Sequence, residues 1–108
     1  MELPLQITYR GVDPSDDLNQ LIHKEGAKLD HFFGRITSCR VLVEREPRHM
    51  REAAPFRVRI DLGVPGNELM TDTMERDSKV AVRDAFRRVR RRLQDYAARL
   101  VQPKAPKA

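Results

Sequence analysis

A single cysteine, Cys39, occurs in the 108 residues, so no internal disulfide can form and nothing resembles a metal-binding pair of cysteines. Val41 and Val43 beside it place Cys39 on the apolar face of a strand, where a thiol acts as a small core hydrophobe. No run of about 18 apolar residues exists, so no membrane-spanning helix is expected. The start MELPLQITYR lacks the basic region and apolar stretch of a signal peptide, and the expected compartment is the cytoplasm. Aromatics make up 6% of the chain against 34% charged residues, which predicts a thin stability margin in a length that supports one modest core. Acid is scarce at one end. Residues 76–108 hold eleven Lys/Arg against three Asp, a net of +8, while residues 1–75 hold ten against thirteen, a net of −3. Such segregation marks a face for a polyanion, and nucleic acid is the leading partner class.

What is present reads as one domain over residues 1–101 with a disordered tail, 102–108, whose QPKAPKA has no apolar period. LQITYRGV alternates Leu5, Ile7 and Tyr9 against polar neighbours and predicts a strand from Leu5 to Val12. Ser15 follows as an N-cap, with Asp16 and Asp17 complementing the helix dipole. The helix is expected from Asp16 to Phe33, its apolar stripe formed by Leu18, Leu21, Ile22, Leu29, Phe32 and Phe33. Gly26 interrupts it at roughly 1 kcal/mol relative to alanine, implying either a weak point or a closely packed neighbour. Gly34 is placed to end it in a left-handed conformation. ITSCRVLVE, Ile36 to Glu44, is a second strand. The charged, proline-bearing stretch from Arg45 to Pro55 is expected to be a mobile connection. FRVRIDLGV alternates Phe56, Val58, Ile60 and Leu62 against Arg57, Arg59 and Asp61, so one sheet face is solvated. Pro65-Gly66-Asn67 turns the chain into a fourth strand, Glu68 to Glu75, and Asp77 caps a last helix.

The order strand, helix, three strands, helix predicts an α+β fold: a two-layer β-α-β-β-β-α sandwich, a four-stranded sheet with both helices on one face. The first two strands, if neighbours, run parallel, and the hairpins that follow run antiparallel.

Arg83 to Leu100 carries seven arginines in eighteen residues. At about 100° per residue, Val82, Phe86, Val89, Leu93, Tyr96 and Leu100 fall within about 40° of one direction, the buried stripe. Arg83, Arg87 and Arg90 form one flank, Arg88, Arg92 and Arg99 the other, and Arg91 points away. On the first helix Lys24, Lys28, His31 and Arg35 make a second basic ridge. A helix made only for solubility interleaves acids, because like charges four residues apart repel by about 0.2 to 0.5 kcal/mol per pair. Arg83/Arg87, Arg87/Arg91 and Arg88/Arg92 are such pairs, and an anionic partner would relieve them. The candidate RNA-binding residues are therefore Lys24, Lys28, Arg35, Arg83, Arg87, Arg88, Arg90, Arg91 and Arg92.

VDPSDDL before the first helix, AKLDHFFGRITSCRVLVE across its end and the second strand, FRVRIDLGVPGNEL in the hairpin and VAVRDAFRRVRRRLQDY in the last helix resemble the ribosome hibernation promoting factor family, also called ribosome-associated inhibitors or sigma-54 modulation proteins. The resemblance covers roughly Leu5 to Leu100. It implies a fold related to double-stranded RNA-binding domains and binding to the small ribosomal subunit and its 16S rRNA, in the channel of messenger RNA and the A- and P-site transfer RNAs. Translation would then be inhibited by occlusion. By position, Lys28, Arg88 and Arg91 match basic positions of the family pattern and are the expected phosphate contacts. The sequence departs from that pattern at Gly26, where many members are bulky and apolar, and at Gln94 and Asp95, near which many are basic. Some relatives continue into a dimerising or a cold-shock-type domain; this chain is expected to act as a short form and a monomer.

Two other function classes have weaker support. An enzyme would draw on His23, His31 and His49, but His23 and His31 project about 80° apart and no nucleophile or phosphate loop accompanies them, so no catalysis, cofactor, metal or small-molecule substrate is expected. A basic helix docking an acidic protein, and a general double-stranded RNA-binding module, are the alternatives to ribosome binding.

Overall fold

Polar–apolar alternation in LQITYR makes strand β1, Leu5–Arg10, two residues shorter than the pattern predicts. The strand stops because Gly11 turns the chain at φ 73, a conformation a residue with a Cβ rarely adopts. A computed structural model describes residues 4–46 and 54–101. The expected disorder of 102–108, and most of the Arg45–Pro55 connection, lie outside the described residues. Ser15 caps helix α1, Asp16–Phe32, its Oγ accepting from the Leu18 amide at 3.2 Å. The Tyr9 hydroxyl hydrogen-bonds Asn19 Oδ1 at 2.7 Å and ties that helix start to β1.

Leu18, Ile22, Gly26 and Leu29 are the buried residues of α1. They step by four, four and three, so Gly26 sits in the buried stripe and favours the close-packing reading. Two expectations for the helix end are corrected. Gly34 is not left-handed: the only positive φ values among the described residues belong to Gly11 and Gly66. Phe33 ends the helix instead, extended at φ −140, with its amide still donating to Leu29 O at 2.8 Å. Its ring meets Tyr96 edge-on at 5.7 Å, so packing on the other helix sets the exit direction. Phe32, expected in the core, is 40% exposed. One turn of helix cannot aim two adjacent rings at the same core, and Phe33 takes the place.

The remaining elements are β2, Ser38–Arg45, β3, Phe56–Val64, β4, Asn67–Glu75, and α2, Ser78–Val101. Ile36, assigned to β2 by its apolarity, is buried just ahead of the strand. Strand order follows chain order, β1-β2-β3-β4. β1 runs parallel to β2, with Ile7 opposite Val41, and the two hairpins are antiparallel, with Val41 opposite Ile60 and Ile60 opposite Thr71. Pro65 and Gly66, at φ 74, join β3 to β4, the proline and positive-φ combination of a type II turn.

Both helices cover one sheet face, and the core lies between the layers. Cys39, Val41, Val43, Val58, Ile60 and Leu62 supply the sheet side; Ile22, Val82, Val89 and Leu93 supply the helix side. Ala81 and Ala85, which the helix wheel passes over, are fully buried. The Thr73 hydroxyl donates to Ala81 O at 3.0 Å and that of Thr71 to Ala85 O at 3.3 Å, fastening α2 to β4. Leu100 is corrected: it is 48% exposed. At 24 residues α2 is about 36 Å long, longer than the sheet beneath it, so its last turn overhangs the core.

Burial pushes the Cys39 thiol up to about 12. The folded protein keeps that proton where the unfolded chain has lost it, so stability falls as pH rises above about 9, by up to roughly 1.4 kcal/mol per unit. Denaturant unfolding at pH 7 and pH 10 checks this. Cys39→Ala adds a constant offset and flattens the slope relative to the native chain; parallel slopes would remove Cys39 as its source.

Candidate nucleic-acid interface

Asp77 caps the start of α2, its Oδ1 accepting from the Lys79 and Val80 amides at 2.8 and 3.2 Å. Val82, Phe86, Val89, Leu93 and Tyr96 then face inward, and the Tyr96 hydroxyl donates to Pro65 O, locking the helix to the β3–β4 turn. With the apolar stripe fixed, all seven arginines of α2 have no direction left but outward. Arg83, Arg87, Arg88, Arg90, Arg91, Arg92 and Arg99 are exposed.

One flank faces α1. A groove of about 230 Å³ between the helices is lined by Lys28, Arg83, Arg87 and Arg90, with Glu25, Leu29 and Phe86 at its floor and rim. Lys28 Nζ lies 3.5 Å from Glu25 Oε2 and Arg87 donates to Asp84 Oδ1 at 2.7 Å, both exposed contacts worth little against solvent. The Arg90 guanidinium stands over the Phe32 ring, 5.4 Å from its centroid. The other flank overlooks the β4 edge. Arg88, Arg91 and Arg92 meet Arg57 and Arg59 of β3 around a groove of about 660 Å³ that also includes Asp72 and Asp95. Arg92 is engaged there, donating to Met70 O at 2.6 Å.

Arg83, Arg88 and Arg91 make no ion pair or hydrogen bond among the described residues. Lys24 and Arg35 are exposed and stand outside the inter-helix groove. Arg35 is not part of a helical ridge, since α1 ends at Phe32 and Arg35 falls in the turn beyond. Of the nine candidates, then, four gather at the inter-helix groove and three at the β4 groove.

The opposite side of the molecule is electrostatically different. On the open sheet face Arg40 meets Glu68 at 3.1 Å, Arg59 meets Asp61 at 3.4 Å and Arg10 meets Glu44 at 3.6 Å. Arg57 forks Asp72, its Nε at 3.0 and 3.1 Å from the two carboxylate oxygens and a terminal nitrogen at 2.6 Å. That fork holds the Asp72 carboxyl below its usual range. Arginines are thus paired with acids on the sheet face, while Arg83, Arg88 and Arg91 of α2 stay open among the described residues. Three contributors escaped the sequence reading. Arg57 and Arg59 reach the β4 groove from a face read as merely solvated, and Phe32 lies exposed beside Arg90.

Among the described residues no cluster of three or more His, Cys, Asp or Glu could hold a metal, and no helix is long and apolar enough to cross a membrane. None of the curated proteins matches the chain. Solved structures share its fold, and two of them illustrate the similarity. A ribosomal subunit interface protein from Coxiella burnetii is 19% identical, with a TM-score of 0.77 over 89% of this chain and 99% of that one. The N-terminal domain of Thermus thermophilus Protein Y is 18% identical, with a TM-score of 0.72 over the same shares. Residues 5–101, every element from β1 to α2, match the sigma 54 modulation protein / S30EA ribosomal protein family, and the chain belongs to that ribosome-associated family.

Proposed function

We propose that the protein is a hibernation factor that binds the small ribosomal subunit through its helical layer and silences it by filling the channel of messenger and transfer RNA. The observation that carries this reading is the asymmetry of pairing. Four arginines of the sheet face each have an acid within 4 Å, whereas Arg83, Arg88 and Arg91 on α2 have no partner among the described residues. A guanidinium fork grips phosphate oxygens in pairs and stacks on bases, so a surface of free arginines suits folded RNA. Occlusion needs no reacting group, cofactor or small-molecule substrate. Residues 1–101 form the binding domain of a monomer that works in the cytoplasm, where its ribosomes are.

Competition tests the occlusion step. Saturating protein is expected to block transfer RNA binding to small subunits programmed with messenger RNA in a filter assay. Full transfer RNA binding beside bound protein would place the factor elsewhere on the ribosome. Affinity should also fall steeply with salt: about five phosphate contacts predict roughly 50- to 150-fold weaker binding between 0.1 and 0.3 M monovalent salt.

A further inference from the structure

Aromatic side chains are scarce: the chain has four Phe and two Tyr. Five of the six are buried or half-buried, and Phe32 alone is exposed. It lies on the helical layer, in the last turn of α1, with the Arg90 guanidinium 5.4 Å from its ring centroid. Arg90 also lines the inter-helix groove with Lys28, Arg83 and Arg87. An exposed phenyl ring therefore borders the side of the groove where cations gather.

We propose that Phe32 and Arg90 form a stacking site for one unpaired RNA base, with the phosphates beside that base held by Arg83 and Lys28. The inference rests on the RNA-binding reading and adds to it a contact with a base. Every nucleobase has a π face that stacks on an aromatic ring or a guanidinium plane, and proteins take hold of RNA most readily where bases are unstacked. The guanidinium over the ring strengthens the platform through attraction to its π electrons. A ligand with phosphates and no bases would be satisfied by the arginines alone and would leave the ring in water. Exposed Met74 gives a contrast: it lies on the sheet side in a groove whose one arginine, Arg57, is already paired with Asp72.

The chain contains no tryptophan, so Phe32→Trp installs a unique fluorophore at the site. Its emission is expected to be quenched on adding a twelve-nucleotide oligoadenylate and unchanged with inorganic polyphosphate of equal charge. Phe32→Leu, which keeps bulk without a π face, is expected to weaken oligoadenylate binding roughly tenfold, leave polyphosphate binding unchanged and keep the native thermal midpoint. The same variants are also sedimented with small subunits, where Trp should retain at least as much complex as Phe, and Leu less. Saturable oligoadenylate binding without quenching, or Leu equal to Phe in whichever assay shows binding, overturns the stacking site and leaves the RNA reading standing. Failure of the native protein to bind either oligoadenylate or small subunits overturns both.

Discussion

Arg88→Glu combined with Arg91→Glu is expected to abolish cosedimentation with small ribosomal subunits while the protein stays folded. Each of these arginines is exposed and engages nothing else among the described residues, so its binding energy is held for a partner. A hydrogen bond to a charged group contributes about 1.5 to 3 kcal/mol. Losing two such contacts and placing carboxylates against phosphates predicts at least 100-fold weaker binding. Stability should change little, since Glu at 88 and 91 makes the repulsive pairs Arg88/Arg92 and Arg87/Arg91 attractive but turns the attractive pairs Asp84/Arg88 and Arg91/Asp95 repulsive, each by a few tenths of a kcal/mol. Arg40→Glu is the control. It reverses a charge on the sheet face, breaks the pair with Glu68 and should leave sedimentation unchanged. Equal loss from both variants would mean that bulk charge, not the helical face, governs binding; full binding by the double variant would remove Arg88 and Arg91 from the interface.

Leu93→Ala should be strongly destabilising and Leu100→Ala nearly silent, although both occupy the same stripe on a helix wheel. Leu93 is fully buried between the layers, whereas Leu100 is 48% exposed on the overhang. Removing a buried leucine side chain costs about 2 to 5 kcal/mol, because transfer energy is lost and a cavity remains. In a domain of this size each kcal/mol lowers the thermal midpoint by about 4 to 8 °C, so Leu93→Ala should melt at least about 8 °C lower. Leu100→Ala should stay within about 0.5 kcal/mol of the native chain. Calorimetry or circular dichroism compares the two, and similar midpoints would show that the core reaches the end of α2 after all.

Those two leucines also show what a sequence can and cannot convey. Periodicity reports direction, so the inward side of α2, the inward side of β3 and the outward arginines were all legible from spacing. It carries no length scale for the core, which is why Leu100 and Phe32 read as buried. Local signals with local causes were equally legible: Ser15 and Asp77 bond the amides two or three residues ahead of them, and Gly66 provides the turn. The end of α1 was legible to within one residue, but its cap was not, because Phe33 packs against Tyr96 from the far end of the chain. Arg40 and Glu68, or Arg57 and Asp72, become partners only when strands align in register. Before folding, Arg57 and Arg88 look alike; afterwards one is neutralised and the other open. The asymmetry that supports the functional proposal is therefore a tertiary property built from a charge distribution visible beforehand.

Arg92 has a further consequence, separate from RNA. β4 is an outer strand of the sheet, and outer strands present unused backbone groups to which another chain can add by pairing. By donating to Met70 O, Arg92 caps one of those groups, and its cationic neighbours repel an identical molecule approaching from that side. Concentrated stocks lacking this guanidinium should associate through β4 more readily, so a helix dense in positive charge also guards its own sheet from runaway growth.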